Sequence, residues 1–263
     1  MAKRIEPAAG WAAYRGGHEA LRTWLATLPI EAWDRSSVLA GWNVADLAAH
    51  LVLVAEAVTS VAPAPRGVRA QTVSDYLAAY APAAREQAGR TRAIADDAGR
   101  EPERILAAVD ERHAAATRTI DELGPDDVVV TTRRVPVRLA DFLVTRVIEV
   151  AVHADDLGRS VPDAGTPDLP RDTLRLAVRA LLDVLAQRAP GRSVEVRVPP
   201  FAAIQCIEGP RHTRGTPPNT VDLASASWLR LAAGRTTWDH EVASGAVLAS
   251  GRRADLSAHL PLL

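Results

Sequence analysis

Through the first 160 positions, apolar residues recur mostly at helical spacing; sustained period-two alternation begins only near residue 193. Trp11, Tyr14, His18, Leu21, Leu25 and Leu28 share one stripe, which predicts a helix over 8–28 ended by Pro29. A second helix is expected over 43–60, where Asn43 is an N-cap and Asp46 completes a capping box. Pro63 to Gly67 reads as a loop, and Ala-rich segments at 74–96 and 102–123 as two more helices. The β-branched run 128–137 predicts a small hairpin or an extended loop. It precedes a helix over 138–157 with Gly158 as its C-cap. Two Gly and three Pro within 158–170 mark a domain boundary.

Beyond that boundary a helix is expected at 171–188, then strands at 193–198 and 201–207. A helix over 220–233 closed by Gly234, a hairpin of 236–243 with 246–250, and a short helix at 253–260 complete the reading. Helices followed by mixed strands and helices imply an all-α domain (1–160) and a small α/β domain (165–263).

Three residues stand out within this frame. Glu149 and His153 are four apart in an otherwise apolar helix. That spacing puts both on one face, with Cβ atoms roughly 5–6 Å apart. Arg146, Glu149, His153 and Asp156 form a narrow polar strip, which faces either solvent or an internal polar site. His50, a hundred residues earlier, sits among Leu47, Leu53 and Val54 and points toward apolar packing. Two imidazoles and a carboxylate with an open position are a catalytic arrangement for zinc or a similar divalent metal. The plainer alternatives are a surface Glu–His pair and a core histidine. Asp46 is a candidate partner for His50 under either reading, as a core acceptor or as the group that orients a metal-bound imidazole.

The segments Gly41-Trp-Asn-Val-Ala-Asp-Leu-Ala-Ala-His50 and Arg146-Val-Ile-Glu-Val-Ala-Val-His153-Ala-Asp-Asp156 resemble the two metal motifs of the mycothiol-dependent maleylpyruvate isomerase family. Trp228-Leu-Arg-Leu-Ala-Ala-Gly234-Arg235, with Gly245 and Gly251 after it, is similar to that family's sterol-carrier-like C-terminal domain. The resemblance implies a DinB-like four-helix bundle holding a divalent metal, zinc foremost, through His50, Glu149 and His153. It implies mycothiol as thiol cosubstrate and a small electrophile as substrate. It also implies a catalytic role for Arg235, whose planar fork suits a carboxylate. The alternative for Arg235 is charge complementing a helix C-terminus, and Arg252 and Arg253 are its rivals. A competing function is a non-catalytic small-molecule or lipid-binding protein whose metal is structural or absent.

Composition narrows the field. A net charge of −1 and a pI near 6.7 give no electrostatic case for nucleic acid or an anionic membrane as partner. The apolar run around His50 is interrupted by that residue and Glu56, so no membrane span is expected. The N-terminus lacks an apolar signal core, and Cys206 is the sole cysteine, which suits a reducing cytoplasm. Cys206 reads as a small core hydrophobe. Lys3 is the single lysine, so 30 of the 31 basic residues are Arg, a bias suited to a GC-rich actinobacterial genome where mycothiol is made. The cluster Arg211, His212, Arg214 reads as a solvated loop, and His18, His113, His240 and His259 have no partner at ligand spacing. A monomer or homodimer is expected.

Overall fold

The structure, a computed structural model, describes residues 5–210 and 218–263 and divides into two compact units, Met1–Thr173 and Leu174–Leu263. The basic cluster at 211–214 lies outside the described residues.

The first unit is helical. Its elements are α1 (Pro7–Ala26), α2 (Ile30–Trp33), α3 (Val44–Thr59), β1 (Ala62–Pro63), α4 (Val73–Ala78), α5 (Tyr80–Asp97), α6 (Pro102–Leu123), β2 (Val129–Thr131), β3 (Val137–Arg138) and α7 (Leu139–Ser160). α1 packs on α7, and α3 packs on α5, α6 and α7. Small residues permit the α1–α7 approach. A Cβ on Gly10 would lie 3.2 Å from Leu143 Cβ, and one on Gly17 would lie 2.7 Å from both Val150 Cγ1 and Thr173 Cγ2. The two glycines are seven apart and so share a helix face.

α3 begins as its sequence predicts, with a reciprocal capping box between Asn43 and Asp46. Three expectations for this unit change. The helix expected at 74–96 is two helices that meet at Ala79, the first capped by a Thr72–Asp75 box. The loop at 63–67 begins in a strand, because Ala62 and Pro63 pair with Thr131 and Val130 and extend the β2–β3 hairpin. Gly158 is not a C-cap but an interior residue of α7, where its missing side chain admits Thr166 to within 3.0 Å of a Cβ position. α7 therefore runs on to Ser160.

The second unit carries most of α8 (Arg171–Arg188), then β4 (Val194–Val198), β5 (Ala202–Cys206), β6 (Thr220–Leu223), α9 (Ser225–Ala232), α10 (Trp238–Ala243) and β7 (Val247–Ser250). The sheet order is β5-β4-β6-β7, with β4 and β6 parallel and the other pairs antiparallel. β4 alternates as predicted: Val194, Val196 and Val198 are buried, with Glu195 and Arg197 between them. Trp228 is fully buried and donates its indole N–H to Val178 O at 3.2 Å.

Two expectations here are overturned. Residues 220–223 are not helical, because Val221 and Leu223 alternate inward while β4 and β7 pair with them on either side. Residues 236–243 are not a strand; Thr237 caps α10 by accepting from His240 N at 3.3 Å, and no hairpin forms. The short helix expected near 253–260 is a 3-10 turn at Ser257–His259. Cys206 is fully buried, and burial pushes its thiol up to about 11, so it behaves as a small hydrophobe. Among the described residues no helix is long and apolar enough to cross a membrane.

Candidate metal centre

α3 and α7 bring His50, Glu149 and His153 together. One ligand atom from each lies within 4.8 Å of the others, and no other such group of three His, Cys, Asp or Glu occurs among the described residues. Glu149 Oε2 sits 3.2 Å from His153 Nε2 and 3.8 Å from His50 Nε2. Zinc–nitrogen bonds of about 2.0–2.1 Å in a tetrahedron require ligand separations of about 3.3 Å. The two separations from Glu149 bracket that value, and all three ligand atoms lie within 4.8 Å of one another. The three side chains are 12 %, 14 % and 8 % exposed, in the order His50, Glu149, His153.

The other ring nitrogens are occupied, which decides what the Nε2 atoms present. His153 Nδ1 bonds Asp156 Oδ2 at 3.1 Å, and Asp156 is in turn held by Arg159 Nη2 at 3.0 Å. His50 Nδ1 bonds Thr91 Oγ1 on α5 at 3.1 Å. These bonds orient both rings so that each Nε2 is turned toward Glu149. Asp46 is not the partner of His50. Its carboxylate is spent on the Asn43 capping box and on Arg100 Nη1 at 3.0 Å. Thr91, fully buried, was missed because it lies 41 residues from His50 on another helix, and a lone threonine carries no spacing signal.

The polar strip of α7 faces inward. Arg146 is 3 % exposed and Asp156 is fully buried. Arg146 Nη2 lies 3.7 Å from Glu149 Oε1 and donates to Tyr80 OH at 2.7 Å. Burial by itself raises a carboxyl group. At Glu149 the bonds to His153 and His50 and the charge of Arg146 outweigh it and hold the carboxyl well below its usual range. Burial pushes the His50 imidazole below its ordinary value. At His153 burial works the same way, yet Asp156 and Glu149 prevail and push it up to about 8. Without a metal, the imidazole that faces two carboxylates thus holds a proton more tightly than a free one. Trp42 stacks edge-on against His50, with ring centroids 5.5 Å apart, and closes one side.

Arg235 lies in the second unit just past α9. It is half-buried, and its Nη1 donates to Ala233 O at 3.1 Å. Arg252 and Arg253 are exposed, and Arg253 Nη1 reaches Glu208 O at 3.3 Å. His18 and His113, which sequence spacing leaves unpaired, stack on each other across α1 and α6 with centroids 4.0 Å apart.

Residues 14–158 match the family model for the mycothiol maleylpyruvate isomerase N-terminal domain, and residues 170–262 match that for the bacterial SCP ortholog. Several solved chains resemble this one, two of them as follows. One is a crystal structure of the mycothiol-dependent maleylpyruvate isomerase, with 19 % identity, a TM-score of 0.61, and coverage of 94 % of this chain and 93 % of that one. The other is a mutant of that enzyme with one histidine replaced by alanine, with 20 % identity, a TM-score of 0.60 and the same coverage. No curated protein matches the sequence.

Proposed function

Because the chain belongs to the mycothiol maleylpyruvate isomerase family, whose N-terminal-domain model spans 14–158, we propose that it is a metal- and mycothiol-dependent isomerase or S-transferase. The observation that carries this reading is the inward-facing His50–Glu149–His153 cluster with both Nδ1 atoms already bonded. Such a donor set suits zinc or a similar divalent cation and leaves a coordination position open. When bound, the cation supplies positive charge that lowers the pKa of a coordinated thiol to a nucleophilic range.

The chain's own residues then do four things. Thr91 and Asp156 fix the imidazole orientations. Arg146, itself bonded to Tyr80, helps His153 and His50 hold Glu149 as a carboxylate. The buried walls of α3 and α7 limit water, which strengthens every charge contact inside. Arg235 we assign to the carboxylate of the substrate, where it stabilises charge that develops during addition. The reaction is addition of the mycothiol thiolate to the cis double bond of maleylpyruvate, rotation about the resulting single bond, and elimination of the same thiolate. Thiol is conserved overall.

The test is turnover of maleylpyruvate by zinc-loaded protein with and without mycothiol, alongside elemental analysis of His50→Ala and His153→Ala. The expected result is about one divalent metal per chain, lost in either variant, and activity only with metal and thiol together. Equal turnover without thiol overturns the reading in favour of metal-assisted hydrolysis. The lipid-carrier alternative gains no support from the ≈ 180 Å³ cavity beside Phe201 in the second unit, which is below the usual 300–1,000 Å³ of ligand pockets.

A further inference from the structure

Three arginines line a cavity of ≈ 100 Å³ in the first unit, walled by α3, α5, α7 and the turn of the β2–β3 hairpin. Two of them are paired. Arg90 Nη2 and Arg133 Nη2 both donate to Glu56 Oε1, at 2.7 and 2.5 Å. Arg134 is different. Among the described residues it has no carboxylate partner, and its Nε is buried without a hydrogen bond. Its guanidinium carbon lies 4.4 Å from the Tyr80 ring centroid and 5.4 Å from that of Tyr76, and Nη1 makes a long 3.4 Å contact to Tyr76 OH.

Aromatic faces hold the cation in place, but they do not satisfy its in-plane N–H donors. The turn that carries it is braced internally. Thr132 Oγ1 donates to Val135 O at 2.9 Å and accepts from Arg134 N at 3.0 Å. An immobilised guanidinium that lines a cavity of this size and has no carboxylate partner among the described residues fits a carboxylate.

The cavity's place in the fold ties it to the three-ligand cluster. Its walls include Leu53 and Ala57, three and seven residues beyond His50 on α3, and Phe142, seven residues before Glu149 on α7. At 1.5 Å per residue these positions lie about 5–10 Å along the helices from the ligands. Tyr80, which carries Arg134 on its ring, receives a bond from Arg146 through its hydroxyl, and Arg146 faces Glu149.

We propose that this cavity is the carboxylate-binding end of the substrate site, with Arg134 gripping a carboxylate of the electrophile. The assignment rests on the reading of His50, Glu149 and His153 as the reaction centre. It implies a substrate that places an anionic group one to two helical turns from the reacting carbon.

The test is calorimetric titration of maleate into the full-length protein, zinc-loaded and after chelator treatment. Arg134→Gln is expected to weaken maleate binding on the order of ten- to a hundredfold in both forms, with zinc content unchanged. Arg133→Gln removes the same charge from the same wall, but one already paired with Glu56, so an effect under about threefold is expected. Arg134→Lys should recover little, since an ammonium lacks the planar fork. Wild-type binding by Arg134→Gln, an equal loss in Arg133→Gln, or equal affinity for inorganic phosphate overturns the proposal. Arg134-dependent maleate binding in a protein that turns over nothing with mycothiol refutes the reaction proposed above and leaves this site standing.

Discussion

Thr91→Val tests whether the metal centre depends on a residue outside its ligand set. The substitution keeps the branched shape and deletes one hydroxyl. Thr91 is fully buried, so water does not replace the 3.1 Å contact to His50 Nδ1. Two costs follow. The first is to the fold, because a buried ring nitrogen without a partner costs about 1–3 kcal/mol in the metal-free protein. The second is to the metal, because the ring loses the bond that keeps its Nε2 lone pair turned toward Glu149. Loss of such an orienting bond typically weakens metal affinity about 10–100-fold, or about 1.4–2.7 kcal/mol. Competition titration of zinc against a chromophoric chelator measures the second cost, and urea denaturation of metal-free protein measures the first. Asp46→Ala is the matched contrast. It removes the capping carboxylate and the Arg100 pair, costing about 1 kcal/mol of stability, but it does not touch His50. Zinc affinity in Thr91→Val within twofold of wild type would refute the reasoning, as would an equal loss in Asp46→Ala.

Three further outcomes are expected. Arg235→Ala should lower turnover on the order of 10²–10³-fold with zinc content and melting temperature unchanged, and Arg235→Lys should rescue little; unchanged kinetics would move attention to Arg252 and Arg253. Gly17→Ala should destabilise by about 1–3 kcal/mol in thermal melts despite better helix propensity, because the new methyl meets Val150 and Thr173 at 2.7 Å and overpacking exceeds the roughly 1 kcal/mol of propensity. The stacked His18–His113 pair should make the fold acid-sensitive. Burial, then His113, pushes His18 down to about 3, so the folded state keeps it neutral while the unfolded chain protonates near 6.5. Asp110 and Glu19 oppose that shift at the pair, and Arg22 and Arg15 reinforce it. Its contribution is therefore complete above pH 6.5 and falls by about 1.4 kcal/mol per pH unit from there toward pH 3. Denaturation midpoints of wild type minus those of His18→Phe isolate the slope, and a pH-independent difference would defeat the argument.

Periodicity located nearly every long helix, because each must bury a stripe whatever it packs against. It also found β4, whose Val194–Val198 run alternates without interruption. The caps of α3 were legible for the same local reason: Asn43 and Asp46 satisfy each other's backbone three residues apart. The cap of α10 was equally local, with Thr237 before Trp238-Asp-His-Glu, but its Thr-Val-Ala content reads as strand when the cap is overlooked. β6 was not legible. Four residues carry too little pattern, and parallel pairing with β4 and antiparallel pairing with β7 decide their state.

The candidate site divides along the same line. Residue types and the Glu149–His153 spacing belong to one helix, so sequence alone determined that they share a face. That this face turns inward, and that His50 meets it, depended on packing α3 against α7. The surrounding groups came wholly from tertiary structure. Thr91 reaches His50 from α5, Tyr80 meets Arg146 from the start of the same helix, and Arg134 lies on Tyr76 and Tyr80 from a hairpin turn. Each of these contacts joins residues at least 41 apart in sequence, so no local period encodes it. Sequence determined which side chains can do chemistry; burial and the convergence of separate helices decided which of them meet, and in which protonation state.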